Sequence, residues 1–184
     1  KERQINRIQG IASFTSQNQV QIQTDTETQF IDFNQVVIAT GSYPFQIPGF
    51  PDHKDILDST GVLALSKIPK SMLIIGGGII GLEMATVYQA FGTEITVVEM
   101  LDQLVPPADI DLVKPLQMAL KKKGAKILLS TQVVSIDPTP SGLDVTFKAK
   151  KDIAPLNFEK VLVAVGRKPN TNHLGLEKIG VQLN

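Results

Sequence analysis

Between residues 72 and 92 the chain passes from an apolar run into a glycine cluster and then into an apolar segment of a different period. Met72-Leu73-Ile74-Ile75 is short and continuous, the pattern of a strand buried on both faces. Gly76, Gly78 and Gly81 then take the spacing G-x-G-x-x-G. From Ile79 to Phe91 the residues Ile80, Met84, Val87, Tyr88 and Phe91 recur at three and four, which predicts a helix with these side chains on its core face. Gly92 follows, where a helix takes a left-handed residue past its end. Such glycines have separable duties: Gly76 for the tight turn, Gly78 for close backbone approach to a diphosphate, Gly81 for packing helix on strand. The helix start offers unpaired N–H groups and roughly half a positive charge to that diphosphate.

Ile95 to Val98 reads as the next strand, rich in β-branched residues, and Glu99 ends it 18 residues past Gly81. An acid there can accept hydrogen bonds from both hydroxyls of an adenosine ribose. It also repels a 2′-phosphate, and Met100-Leu101-Asp102-Gln103 brings no Arg or Lys to receive one. The expectation is NAD rather than NADP. Plainer readings stand beside it: the glycines as a strand-to-helix turn only, Glu99 as a solvated strand end, and Glu83 as a complement to the helix dipole.

The flanking segments set the fold class. Residues 8 to 41 read as β, with Ile8 to Phe14, the alternating Val20 to Gln23, Phe30 to Phe33, and the continuous run Val36 to Ala39 predicted as a strand buried on both faces. Pro44, Pro48 and Pro51 mark residues 44–51 as a linker. A second helix is expected over Asp111 to Lys123, with Asp111 preferred to Asp109 as N-cap because Pro115 suits a first turn. Strands are expected at 127–129, 133–136, 143–147 and 160–165. The result is an α/β chain: a Rossmann-like domain with a parallel sheet and a β-meander insertion, plus flanking β-strands.

Composition narrows the chemistry. The 184 residues contain no cysteine and two histidines, His53 and His173. Thiolate nucleophiles, disulfides and cysteine metal sites are therefore absent, and no metal-ligand spacing occurs. Lys+Arg 18 balances Asp+Glu 18, so neither nucleic acid nor an anionic membrane is an expected partner, and no apolar run is long enough to span a bilayer. Lys1 to Gln4 carry no targeting segment, and the missing initiator Met suggests a piece of a longer chain. No catalytic residue and no metal ligand is assigned.

Ile75–Glu83 (IGGGIIGLE), Ile95–Glu99 (ITVVE), Val37–Gly41 (VIATG), Asp58-Ser59-Thr60 and Val161–Asn170 (VLVAVGRKPN) occur in this order. Together they resemble the pyridine nucleotide–disulfide oxidoreductases, and within them the dihydrolipoyl dehydrogenases, along nearly the whole chain. The resemblance implies a bacterial, cytoplasmic homodimer with FAD and a redox disulfide, passing hydride from dihydrolipoamide through the flavin to NAD. Its partners would be the lipoyl domains of 2-oxoacid dehydrogenase complexes. Residues 1–42 would be the C-terminal part of the FAD-binding domain, 43–166 the NAD-binding domain, and 167–184 a return segment toward FAD. The implied NAD-binding set is Gly76, Gly77, Gly78, Ile79, Ile80, Gly81, Glu83, Glu99, Val133 and Gly166, with Val133 on the adenine side and Gly166 on the nicotinamide side. Ala12 and Gly41 would lie at FAD. Ile79 stands where related NADPH reductases carry a Tyr gate, and Gly81 where they often carry Ala.

The Cys-x4-Cys of that family is missing, as are its first glycine fingerprint and its catalytic His–Glu pair; His173 and Glu177 have the wrong spacing for that pair. This chain alone is therefore expected to bind NAD without catalysis. Other readings remain open: another FAD/NAD(P) disulfide-type reductase or transhydrogenase, a non-catalytic nucleotide-binding module, or an adenosylmethionine methyltransferase.

Overall fold

The computed structural model describes residues 5–183 and divides the chain into two compact units, Lys1–Tyr43 with Pro169–Asn184, and Pro44–Lys168. The expectation for Lys1 to Gln4 lies outside the described residues. In chain order the strands and helices begin with β1 (Ile11–Ser16), β2 (Gln19–Gln23), β3 (Thr28–Asp32), β4 (Ser42–Pro44), β5 (Ile56–Leu57), β6 (Ser71–Ile75) and α1 (Ile79–Ala90). They continue with β7 (Glu94–Val98), α2 (Ile110–Lys122), β8 (Lys126–Leu128), β9 (Gln132–Thr139), β10 (Gly142–Lys148), β11 (Leu156–Phe158), β12 (Lys160–Val163) and β13 (Arg167–Pro169).

In the first unit β1, β2 and β3 form an antiparallel meander. Phe14 is buried, edge-on to Phe33, and its N–H donates to the Leu174 carbonyl at 2.7 Å. Residues after 168 therefore belong to the same compact unit as this meander. The strand expected at Val36 to Ala39 does not form, and Val37 is 89% exposed. A doubly buried strand needs hydrogen-bonded neighbours on both edges. Here the meander pairs within itself, and this segment is held through Thr40 and Gly41, which bond to Asn170.

The second unit is built on a five-stranded parallel sheet of order β5-β12-β6-β7-β8. Strand alternation sends Met72 and Ile74 to one face, where they meet Leu82, Ala85 and Tyr88 of α1 and Val113 and Leu120 of α2. Leu73 and Ile75 point to the other face and pack on Val133, Ile136, Leu143, Val145 and Phe158 of the β9-β10-β11 meander. Both faces are thus covered, which is why the central strands read as unbroken apolar runs. Burying each such side chain stabilises the fold by about 1.5–3 kcal/mol. Among the described residues no helix is long and apolar enough to cross a membrane.

Three local expectations are corrected. The buried face of α1 carries Gly81, Leu82, Ala85 and Tyr88, whereas Val87 and Phe91 are 42% and 59% exposed. Large apolar residues occur on more than one face of the helix, so their spacing does not single one out; the small Gly81 and Ala85 select the face that approaches the sheet. Next, Asp109, not Asp111, is the N-cap of α2, and Pro115 lies inside the helix. The N–H groups of Leu112 and Val113 converge on the Asp109 carbonyl, so the first turn closes earlier. Pro115 then costs one hydrogen bond on an exposed turn, where the freed carbonyl is open to solvent. Finally, residues 44–51 are no linker, because Ile47 and Phe50 pack against the meander-side core of the second unit. Strands β5 and β11 carried no signal long enough to read.

At the opposite end of the sheet from the glycine turn, the Lys160 ammonium pairs with Asp55, joining β12 to the residue before β5. That hydrogen bond holds the Asp55 carboxyl below the usual carboxylate range, against the raising effect of partial burial. Stability from a carboxyl lowered in this way is present above its unfolded pKa and is lost as pH falls through the folded value. Asp55→Asn is therefore expected to destabilise the chain by about 1 kcal/mol at pH 7. In urea titrations the gap between variant and wild type should close in acid; a gap independent of pH would refute the assignment.

Candidate functional site

In the sheet, β6 stands between β7, reached through α1, and β12, reached only after the meander. The two connections leave in opposite directions, and strand order of this kind opens a crevice at the carboxyl ends of the strands. A cavity of about 1070 Å³ lies there. Gly76, Gly78, Ile79 and Ile80 line it at the start of α1. Glu99 to Leu101 and Thr131 to Val133 form its β7 side; Val163 to Arg167, with Ile47, Phe50 and Ser59, form its β12 side.

The glycines differ in what demands them. Gly76 has φ +107°, and a Cβ there would sit 2.5 Å from the Ala164 carbonyl oxygen. At Gly81 a Cβ would fall 2.3 Å from the Gly76 carbonyl oxygen, so α1 lies as close to β6 as backbone allows. Gly78 has an ordinary φ of −78°, and a Cβ on it would meet no protein atom within 4 Å. Nothing in the protein requires a glycine at this position. The space its side chain would take is the cavity itself, immediately before the first helical N–H groups, which have no side-chain cap.

Glu99 faces this turn. Its Oε2 accepts from the Gly77 N–H at 2.7 Å and its Oε1 from the Leu101 N–H at 2.9 Å. The carboxylate thereby couples the glycine turn to the loop after β7. That loop is further tied by the Val105 N–H to the Gly77 carbonyl at 2.8 Å, and buried Leu104 packs over Gly77. An ionised carboxylate has about four acceptor positions, so two remain for sugar hydroxyls.

The structure brings Gly76, Gly78, Ile79, Ile80, Glu99, Val133 and Gly166 to one cavity. Gly77 and Gly81 are buried behind it and shape its floor. Glu83 does not join them: it is exposed in a shallower pocket with Ser59, Thr60 and Arg167, because the helix turns it away from the strand ends. Ala12 and Gly41 belong to the first unit, Ala12 exposed on β1 opposite Ile22 and Gly41 accepting from the Asn170 N–H. His53 lies outside this cavity, half-buried, and its Nδ1 accepts from the Asp55 N–H at 3.3 Å.

Sequence reading missed Val105, Thr131, Gln132 and Arg167 as lining residues. Val105 is a β-branched residue at φ +44°, a strained backbone that no sequence pattern announces. Arg167 is the one cation among the lining residues, and its Nη1 donates to Ser59 Oγ at 3.0 Å on the β12 side. It therefore stands across the central strand from Glu99.

These features fit a dinucleotide such as NAD: a diphosphate at the open Gly78 edge, a ribose at Glu99, and apolar walls for the two rings. The first unit has no α-helix among the described residues, hence no comparable helix start for a second diphosphate such as that of FAD.

Residues 2–184 match the family of pyridine nucleotide-disulphide oxidoreductases. Dihydrolipoyl dehydrogenase from Vibrio cholerae is 40% identical over 187 residues, and that from Bacillus subtilis 36% over 184; each alignment takes in 100% of this chain and 39% of the relative. A Cu(II) complex of the HOCl-induced flavoprotein disulfide reductase RclA from Escherichia coli superposes with TM-score 0.82 at 28% identity, over 95% of this chain and 39% of that one. The chain thus spans about two fifths of the length of the relatives it matches. Family membership displaces the methyltransferase alternative. With its fold, its glycine-floored crevice and these matches in hand, this chain belongs to the pyridine nucleotide-disulphide oxidoreductase family.

Proposed function

We propose that the second unit is the NAD-binding portion of a flavin-dependent dihydrolipoyl dehydrogenase. The observation that carries it is the open Cβ direction of Gly78 at the uncapped start of α1, faced by the Glu99 carboxylate. Backbone N–H groups of Gly78, Ile79 and Ile80 would hold the diphosphate, aided by the helix dipole. Glu99 would orient the adenosine ribose with the acceptor positions left after Gly77 and Leu101. Val133 and the residues around Gly166 would close over the two rings and exclude water. NAD when bound supplies a hydride acceptor at its nicotinamide.

For the whole protein we propose a homodimer with FAD and a redox disulfide, oxidising dihydrolipoamide on lipoyl domains in the bacterial cytoplasm. Ala12 and Gly41 are assigned toward FAD on the family resemblance. Glu83 keeps its place in the NAD-binding set on the same resemblance, as a neighbour of the site instead of a wall of the cavity. This chain has no cysteine, so the dithiol step belongs to residues outside it. Carboxylate repulsion of a 2′-phosphate makes NAD the dinucleotide.

Calorimetry on the 184-residue chain tests the reading. NAD and ADP-ribose should bind with similar affinity, and NADP about tenfold more weakly for one uncompensated like-charge approach. Equal affinity for NAD and NADP would overturn the assignment of Glu99 to the ribose.

A further inference from the structure

Few polar side chains line the cavity, and most of them are already engaged. Glu99 accepts from the Gly77 and Leu101 backbones. Buried Thr131 donates to the Leu129 carbonyl at 2.9 Å, and Ser59 accepts from Arg167. Gln132 differs: it is exposed on the cavity wall, and its carboxamide has no partner among the described residues. Sites of this kind use a small number of placed polar groups to orient an otherwise apolar ligand, so an unengaged amide in the wall is informative.

Its location says which part of a ligand it meets. The Thr131 N–H donates to the Glu99 carbonyl at 3.0 Å, and the Ser130 N–H to the Leu101 carbonyl at 2.8 Å. The start of β9 is thus tied to the residue assigned to the adenosine ribose, on the side of the central strand away from Gly166. Gln132 follows directly and is fixed by pairing with Lys148 of β10. Val133 beside it, with Met100 and Leu101, gives apolar surface on which a flat base can lie.

Resting on the NAD reading above, we infer that Gln132 is a specificity-determining residue that reads the adenine base. Its amide oxygen accepts from the 6-amino group while its amide nitrogen donates to N7, the paired contact by which Gln and Asn select adenine. A purine with oxygen at C6 presents two acceptors on the same edge, so one half of the carboxamide always faces a mismatch.

The test compares NAD with nicotinamide hypoxanthine dinucleotide by calorimetry on the 184-residue chain, wild type and Gln132→Leu. Wild type should prefer NAD by about tenfold, and Gln132→Leu should reduce that preference to about twofold or less. Because the side chain is exposed and unbonded, the variant should melt at the wild-type temperature. Equal binding of the two dinucleotides by wild type, or an undiminished preference in Gln132→Leu, would overturn the role of Gln132. Binding of neither by wild type would instead overturn the NAD reading on which it rests.

Discussion

Gly76→Ala is expected to destabilise the second unit by about 2–6 kcal/mol. Two independent costs meet at this position. A side chain at φ +107° is strained by about 1–3 kcal/mol, and its Cβ would press to 2.5 Å from the Ala164 carbonyl oxygen, which the β12 ladder cannot release. That oxygen belongs to the residue whose N–H bonds Ile75 at 2.8 Å, so relief would have to come from the sheet itself. Domains are stable by only about 5–15 kcal/mol, so much of the population would unfold near the growth temperature of a mesophile. Gly78→Ala supplies the contrast. Its backbone suits any residue and its Cβ meets no protein atom, so stability should hold or rise by up to about 1 kcal/mol. NAD affinity should nevertheless fall by more than about tenfold, because the methyl occupies diphosphate space. Urea denaturation and calorimetry on both variants separate a glycine needed by the fold from one needed by the ligand. The reverse pattern, a stable Gly76→Ala and an unfolded Gly78→Ala, would be incompatible with this geometry.

Glu99→Gln is expected to weaken NAD binding by about a hundredfold, with a loss of stability of about 1–3 kcal/mol. In the wild type both carboxylate oxygens are used, one by Gly77 and one by Leu101. A carboxamide keeps one acceptor and turns an NH2 toward the second donor. One backbone N–H then loses its partner, and the glycine turn is no longer tied on both sides. The sugar loses a charged acceptor at the same time, and hydrogen bonds to charged groups are the strong ones. NADP, no longer repelled, should lose less than NAD, so the ratio between them narrows. Affinity for NAD within about twofold of wild type would remove Glu99 from the site.

The nucleotide turn was legible because its requirements are local. Gly76 answers to its left-handed turn, Gly81 to a backbone collision inside the same turn and Gly78 to the space it leaves at the helix start, while the acid at 99 follows from where the next parallel strand must end. Runs such as Met72 to Ile75 announced burial on both faces, but they could not say what would cover them. Helices could have taken the second face; here a meander does. Likewise Val36 to Ala39 carries the same run as β6 and forms no strand, since a ladder is a property of neighbours.

What lay beyond pattern depended on contacts distant in sequence. The working face of α1 is chosen by how closely Gly81 and Ala85 let the helix approach the sheet, not by its bulkiest residues. Gln132 and Arg167 carry no motif, and their standing as cavity walls exists only because β9 is tied to Glu99 and β12 lies beside β6. Local sterics write the glycine signature into the primary chain. Sheet order and layer covering, which place distant residues around that turn, are settled by the packing free energy of the whole fold.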